Sequence, residues 1–184
     1  AGGLGCPVLL YLAAAGVGKI GIIDHDIVSI SNLQRQILYS TSDIGKNKVH
    51  AAEKKIQDLN PHVQVITWCA KLDKHNAIDI FNEFDVIADC SDNMATRYMV
   101  NDACVIAGKS LISGSVFRFE GQVLSLNCPT SKGHRSADSR CIFPESENSK
   151  DELDCVTAGV MSVVPGIVGC IQANEIIARL TAGT

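Results

Sequence analysis

The alternation of apolar and polar stretches divides this 184-residue chain into short helices and strands of α/β type. The first 24 residues, AGGLGCPVLLYLAAAGVGKIGIID, read as a glycine turn, an apolar helix and a second tight glycine turn. A short isoleucine-rich strand with an acid at its end follows. Residues 29–38 predict a short helix capped by Ser31 or Asn32, because their side chains accept the free N–H groups of a first turn. A longer helix over 50–59 opens at Gly45-Lys46-Asn47-Lys48 and closes at Asn60-Pro61. Alternation over 63–68 predicts a strand, 76–81 a helix, and 84–88 an apolar strand running into Asp89-Cys-Ser-Asp-Asn93. A helix over 95–107, a strand over 109–113 and an antiparallel strand over 120–126 come next. Residues 128–154 are polar and predict a long mobile loop. The chain is apolar again over 156–180, where the pattern predicts a helix broken near Pro165-Gly166. No internal repeat or second domain is visible, and 1–184 reads as one domain.

Composition adjusts this picture little. Apolar residues make up 46% and aromatics 5%, which suits a core packed from Ala, Val, Ile and Leu. The net charge of −4 carries no basic stripe and gives no expectation of nucleic-acid binding. The apolar runs meet glycine or charge before 18 residues, so no membrane span is expected. Eight scattered cysteines, several inside apolar runs, suit buried reduced thiols and a cytoplasmic setting.

The candidate chemistry gathers at the glycine turn. Gly2, Gly3 and Gly5 let the backbone approach a ligand closely, and the helix after them aims its N–H groups and positive dipole end at an anion. Asp24 lies about twenty residues on, at the distance where dinucleotide folds place an acid on ribose hydroxyls. Asn32, Arg35 and Gln36 fall on one face just after that strand. Lys48 opposes the dipole at a helix start, a local disadvantage that suits a phosphate contact. Asp92 and Asn93 end an apolar strand, where α/β folds carry ligand groups, and either also serves as a helix cap. A glycine fingerprint of this type needs a glycine and a strand before Ala1. The chain is therefore expected to continue at both ends, with the first strand of the sheet preceding it.

These residues carry a resemblance. The chain is similar to the adenylation domain of the ubiquitin-activating-like superfamily, in particular the MoeB/ThiF proteins and the eukaryotic adenylyltransferase-sulfurtransferases of molybdopterin synthase sulfuration and tRNA thiolation. The motifs are AGGLGCP at 1–7, LAAAGVGKIGIIDHD at 12–26, SNLQRQ at 31–36, GKNK at 45–48, ADCSDN at 88–93, TRYMVNDACVIAG at 96–108, FEGQ at 119–122 and CVTAGVMSVVPGIVGCIQANEI at 155–176.

The resemblance implies a Rossmann-like, mostly parallel sheet with antiparallel strands at one side. It implies ATP-dependent adenylation of the C-terminal Gly-Gly carboxylate of a ubiquitin-like sulfur carrier, with release of pyrophosphate, and a homodimer. It places Gly3, Asp24, Ser31, Asn32, Leu33, Gln34, Arg35, Gln36, Lys48, Asp92 and Asn93 around the nucleotide. Arg35 and Lys48 then act on the phosphates and Asp92 on magnesium. Cys155 matches a cysteine proposed to take the carrier as a thioester or to take part in sulfur transfer. The family's zinc-binding Cys-x-x-Cys falls at 138–141, where Asp138 replaces the first cysteine. Zinc at Cys141, with Asp138 or Cys128 helping, and loss of the site both stay open. An NAD(P)-dependent oxidoreductase and the non-catalytic half of a heterodimeric activating enzyme stay open as other readings of the glycine turn.

Overall fold

The computed structural model describes residues 1–144 and 161–181. Helix α1 (Gly5–Ala14) follows the glycine turn and leads into strand β1 (Lys19–Ile23). Two short 3-10 turns, Ile30–Asn32 and Thr41–Asp43, connect β1 to α2 (Lys48–Leu59). Strand β2 (Gln64–Trp68), α3 (Ala77–Asn82), β3 (Val86–Asp89) and α4 (Met94–Ala107) come next. The hairpin β4 (Ser110–Phe117) and β5 (Glu120–Leu126), the short α5 (Ser139–Ile142) and the long α6 (Val163–Thr181) complete the described chain.

The predicted elements are present, with three corrections. The pairing agrees with the sheet expected: among the described residues β1 pairs with β2 and β3 with β4 in parallel, and β4 with β5 antiparallel. First, the helix expected over 29–38 is only a 3-10 turn at Ile30–Asn32 whose N-cap is Ser29, so neither Ser31 nor Asn32 caps it. Second, the predicted break at Pro165-Gly166 does not occur, and α6 runs continuously from Val163. Pro165 sits in its first turn, where a missing N–H loses no intrahelical bond. Third, residues 128–144 of the predicted loop have defined structure, with a bridge between Pro129 and Arg135 and the helix α5.

The sequence explains the local choices. Asn93 caps α4 by accepting the Thr96 N–H at 2.9 Å, and Gly108 ends that helix in the left-handed region at φ 64. One core cluster packs Leu9, Leu12, Ile20, Ile22, Val49 and Ile56 between α1, β1 and α2; a second packs Phe81, Val100, Leu111 and Leu126 between α3, α4 and the β3–β5 sheet. Each such side chain, fully buried, contributes about 1.5–3 kcal/mol. Helix α6 is long and apolar enough by composition to cross a membrane. Here its apolar character has another use: α6 packs against α1, β3, β4 and β5, with Val168, Gln172, Ala173 and Ile176 buried. Gly169 makes the crossing with α1 close, since a Cβ there would lie 2.5 Å from the Leu4 carbonyl oxygen.

Candidate active site

The glycine turn is the hub. Ala1 touches two elements: its nitrogen donates to Asp24 Oδ2 at 2.8 Å, and its carbonyl accepts the Tyr39 hydroxyl at 2.9 Å. A Cβ on Gly2 would meet Gln36 Nε2 at 3.8 Å. One on Gly3 would meet Pro165 Cβ at 3.2 Å and Arg35 Cγ at 3.4 Å, and one on Gly5 would meet Cys90 Cβ at 3.8 Å. The turn therefore gathers the end of β1, the 30–39 segment, the end of β3 and the start of α6. Leu4 at the N-cap of α1 supplies no side-chain hydrogen bond, and the first turn carries no acid. The Cys6 N–H bonds the Gly2 carbonyl at 2.9 Å and Pro7 has no N–H, so it is the positive dipole end of α1 that faces this point and favours an anion.

Two observations test whether a polar ligand fits. Gln36 is buried, and its Oε1 has no hydrogen-bond partner among the described residues. The Ser91 hydroxyl is in the same condition on the β3–α4 loop. A buried polar atom left unpaired costs about 1–3 kcal/mol, so such atoms beside a close-approach glycine suit a polar ligand that pairs with them.

Asp24 lies at the end of β1. Its Oδ1 accepts the Asp26 N–H at 2.9 Å. Lys48, the first residue of α2, is 4% exposed, and its Nζ donates to Asp26 Oδ2 at 2.7 Å. Asp24, His25 and Asp26 are close enough together to share a cation, although the latter two are exposed.

The end of β3 is held from behind. Asp89 is buried; its Oδ1 accepts the Ser91 N–H at 2.9 Å and its Oδ2 the Ser113 hydroxyl at 3.2 Å. Arg97 reaches back from α4, donating to the Ser91 carbonyl at 2.5 Å and the Gly114 carbonyl at 3.0 Å. Gln172 of α6, fully buried, donates to the carbonyls of Asp89 and Ile112 at 2.7 and 2.9 Å. This scaffold fixes the loop bearing Asp92 and Asn93, both exposed. Magnesium is usually held by one or two carboxylates together with substrate phosphates, so one exposed carboxylate beside a polar turn fits that ion.

The other sequence candidates divide. Arg35 and Gln36 reach the turn, while Gln34 is exposed and Leu33 packs on the main core. The Asn32 carbonyl accepts the N–H groups of Arg35 and Gln36, so Asn32 shapes this turn. Ser31 bonds Ser29 through its hydroxyl and Arg35 Nη1 through its carbonyl. Zinc at Cys141 does not fit the described residues. Asp138 Oδ1 is engaged in capping the Cys141 N–H at 3.0 Å, and neither residue, nor Cys128, belongs to a metal-competent group. The segment is instead clasped to α4: Arg140 bonds both Asp102 oxygens at 2.7 Å and lies over the Tyr98 ring, and Ser139 N–H bonds Asn101. Cys155 lies outside the described residues.

Sequence reasoning missed Asp26, Tyr39, Arg97, Pro165 and Gln172. Only Asp26 had a local signal, standing two residues beyond Asp24 on the same strand end. The others act through contacts distant in sequence, from 17 positions for Arg97 to Gly114 to 162 for Pro165 to Gly3.

The fold and this gathering of groups define a Rossmann-like α/β domain with its ligand groups at the carboxyl ends of parallel strands. The chain belongs to the ThiF family, whose model matches residues 1–183. It is 45% identical over 175 residues to a sulfur carrier protein adenylyltransferase of Thermus thermophilus, covering 95% of this chain and 65% of that protein. It is 44% identical over 176 residues to adenylyltransferase and sulfurtransferase MOCS3 of Xenopus laevis, covering 96% of this chain and 38% of that protein. The chain thus spans less than two thirds of the length of these relatives. The crystal structure of E. coli MccB with ATP matches with a TM-score of 0.77 at 21% identity, over 100% of this chain and 54% of that one. At that identity the likeness concerns the fold.

Proposed function

We propose that this chain is an adenylating domain that activates the C-terminal Gly-Gly carboxylate of a ubiquitin-like sulfur-carrier protein with ATP. The observation that carries this reading is the convergence of Asp24, Arg35, Gln36 and the loop bearing Asp92 on one glycine turn at an uncapped helix start. The names of the relatives, a sulfur carrier protein adenylyltransferase among them, support the substrate class.

The residues divide the work by chemistry. Gly3 lets the backbone reach the nucleotide, and Asp24 accepts the ribose hydroxyls. Ser31, Asn32, Leu33 and Gln34 shape the segment that presents Arg35 and Gln36. Arg35 and Lys48 face the triphosphate, and Asn93 lines the same site. The carrier carboxylate attacks the α-phosphorus, the bond to the β-phosphate oxygen breaks, and pyrophosphate leaves. The product is a mixed acyl-phosphate anhydride. Negative charge shifts toward the leaving pyrophosphate, so fixed cations lower the barrier with little proton transfer. Asp92 would hold a magnesium ion, which would supply charge neutralisation on the phosphates. The Cys155 thiolate then attacks the acyl carbonyl, the bond to the phosphate oxygen breaks and AMP leaves, giving the carrier as a thioester, or Cys155 joins its sulfur transfer, in molybdopterin or tRNA thiolation. The active form is a homodimer. All seven described cysteines are free thiols, in accord with a reducing cytoplasm.

Isothermal titration of the full-length protein tests the nucleotide assignment. ATP with Mg²⁺ is expected to bind, and binding is expected to weaken at least about tenfold in Arg35→Ala. Tight NAD binding without ATP binding would overturn the assignment.

A further inference from the structure

We propose that Asp26 is a positioning residue: its carboxylate fixes the Lys48 ammonium in place at the end of β1. The proposal rests on the reading above that Lys48 faces the nucleotide phosphates.

Lys48 is an unusual lysine. Its side chain is 5% exposed, while that of Asp26 is 54% exposed. A buried ammonium at the first position of a helix is opposed twice, by desolvation and by the helix dipole. The anion in hydrogen-bond contact with it is Asp26 Oδ2 at 2.7 Å. Asp24 is a second carboxylate within electrostatic reach, but its Oδ2 is bonded to the Ala1 nitrogen. The remaining titratable neighbours are the Cys6 thiol, which burial pushes up, the Tyr39 phenol, whose oxygen lies 3.3 Å from the Lys48 carbonyl, and His25, 3.6 Å from Asp26 Oδ1. None of these three supplies a fixed negative charge near neutral pH.

The backbone sets the pair in register. Lys48 N–H donates to the Asp26 carbonyl at 3.0 Å, Val28 N–H to Lys46 at 2.8 Å and Gly45 N–H to Val28 at 2.9 Å, around a bridge between Ile27 and Asn47. The two segments are thus joined along their main chains, and the side-chain pair adds a contact that the fold does not need for closure. Lysine is a flexible point charge with four rotatable carbons. One anchored carboxylate gives it a direction, and the exposed side of Asp26 leaves room for a phosphate to share the ammonium.

The test uses the full-length protein with its carrier, following ATP–pyrophosphate exchange. Asp26→Asn removes the counter-ion but keeps the shape, so the Lys48 ammonium loses its anchor, with kcat about tenfold down and KM for ATP changed less than about threefold. In a Lys48→Ala background, Asp26→Asn costs less than about twofold. Asp26→Glu, which keeps the charge, restores the rate and covers the case in which Asp26→Asn melts early.

If Lys48→Ala abolishes exchange but Asp26→Asn leaves kcat unchanged, or acts equally in the Lys48→Ala background, the role of Asp26 is overturned and the phosphate reading stands. If Lys48→Ala exchanges like wild type, the phosphate reading fails and takes the proposal with it.

Discussion

Gly169→Ala is expected to lower both stability and activity, although helix propensity alone predicts the opposite. In an exposed helix interior this change gains about 0.5–1 kcal/mol. Here the new Cβ would lie 2.3 Å from Pro7 Cγ and 2.5 Å from the Leu4 carbonyl oxygen. Neither atom can swing away: one belongs to a ring and the other to backbone at the start of α1. Relief requires α6 to move off α1 by about 1 Å, and overpacking of this kind typically costs about 1–3 kcal/mol. Taking about 2–3 kcal/mol, because backbone is involved, the melting temperature should fall by about 4–12 °C for a domain of this size. Pro165 lies one helical turn before Gly169 and packs against Gly3 and Arg35, so the displacement reaches the site. A misplacement of about 1 Å costs up to about a hundredfold in rate. Thermal melts and ATP–pyrophosphate exchange of the full-length variant check both numbers. A variant that melts and turns over like wild type would refute the close crossing of α1 and α6.

Two further outcomes follow from the thiols and the α4–α5 clasp. Burial pushes the Cys90 and Cys104 thiols up to about 12, so at pH 8 they should resist alkylation in the folded protein, while the exposed Cys69, Cys141 and Cys170 react; peptide mass spectrometry reads the difference. The Arg140 hydrogen bonds hold the Asp102 carboxyl below its usual range, so their stabilisation is present above the ordinary value near 3.9 and is lost as pH falls through the lower folded value. Asp102→Asn should therefore flatten the acid limb of the stability curve in melts below about pH 4, and a limb identical to wild type would show that the clasp contributes nothing.

Much of the fold was legible because its signals are local. The glycine turn, the strand at 19–23 and the acid at its end lie within 24 residues, and Asn93 and Gly108 mark both ends of α4 with ordinary cap chemistry. The candidate residues Asp24, Arg35 and Gln36 were named from their place at and after an apolar strand, and Lys48 from its local cost at a helix start. What was not legible is long-range. Gln172 reads as one polar residue in an apolar helix, and only folding shows that it pairs two strand carbonyls. Pro165 reads as a breaker, because the pattern does not show that the helix starts two residues earlier. Tyr39 reads as a core aromatic until its hydroxyl is seen on the Ala1 carbonyl. Of the two alternatives left open at Cys141, zinc and a lost site, the described residues support the second, because Asp138 serves as the helix cap of α5.

The central claim is carrier adenylation, and its most direct test is ATP–pyrophosphate exchange by the full-length protein, with and without a Gly-Gly-ended ubiquitin-like sulfur carrier. Exchange should require the carrier and fall by about a hundredfold or more in Asp92→Ala, as expected when a group acting on transition-state charge is removed. Intact ATP binding with no exchange in the presence of sulfur carriers would contradict the account and leave the chain a nucleotide-binding scaffold.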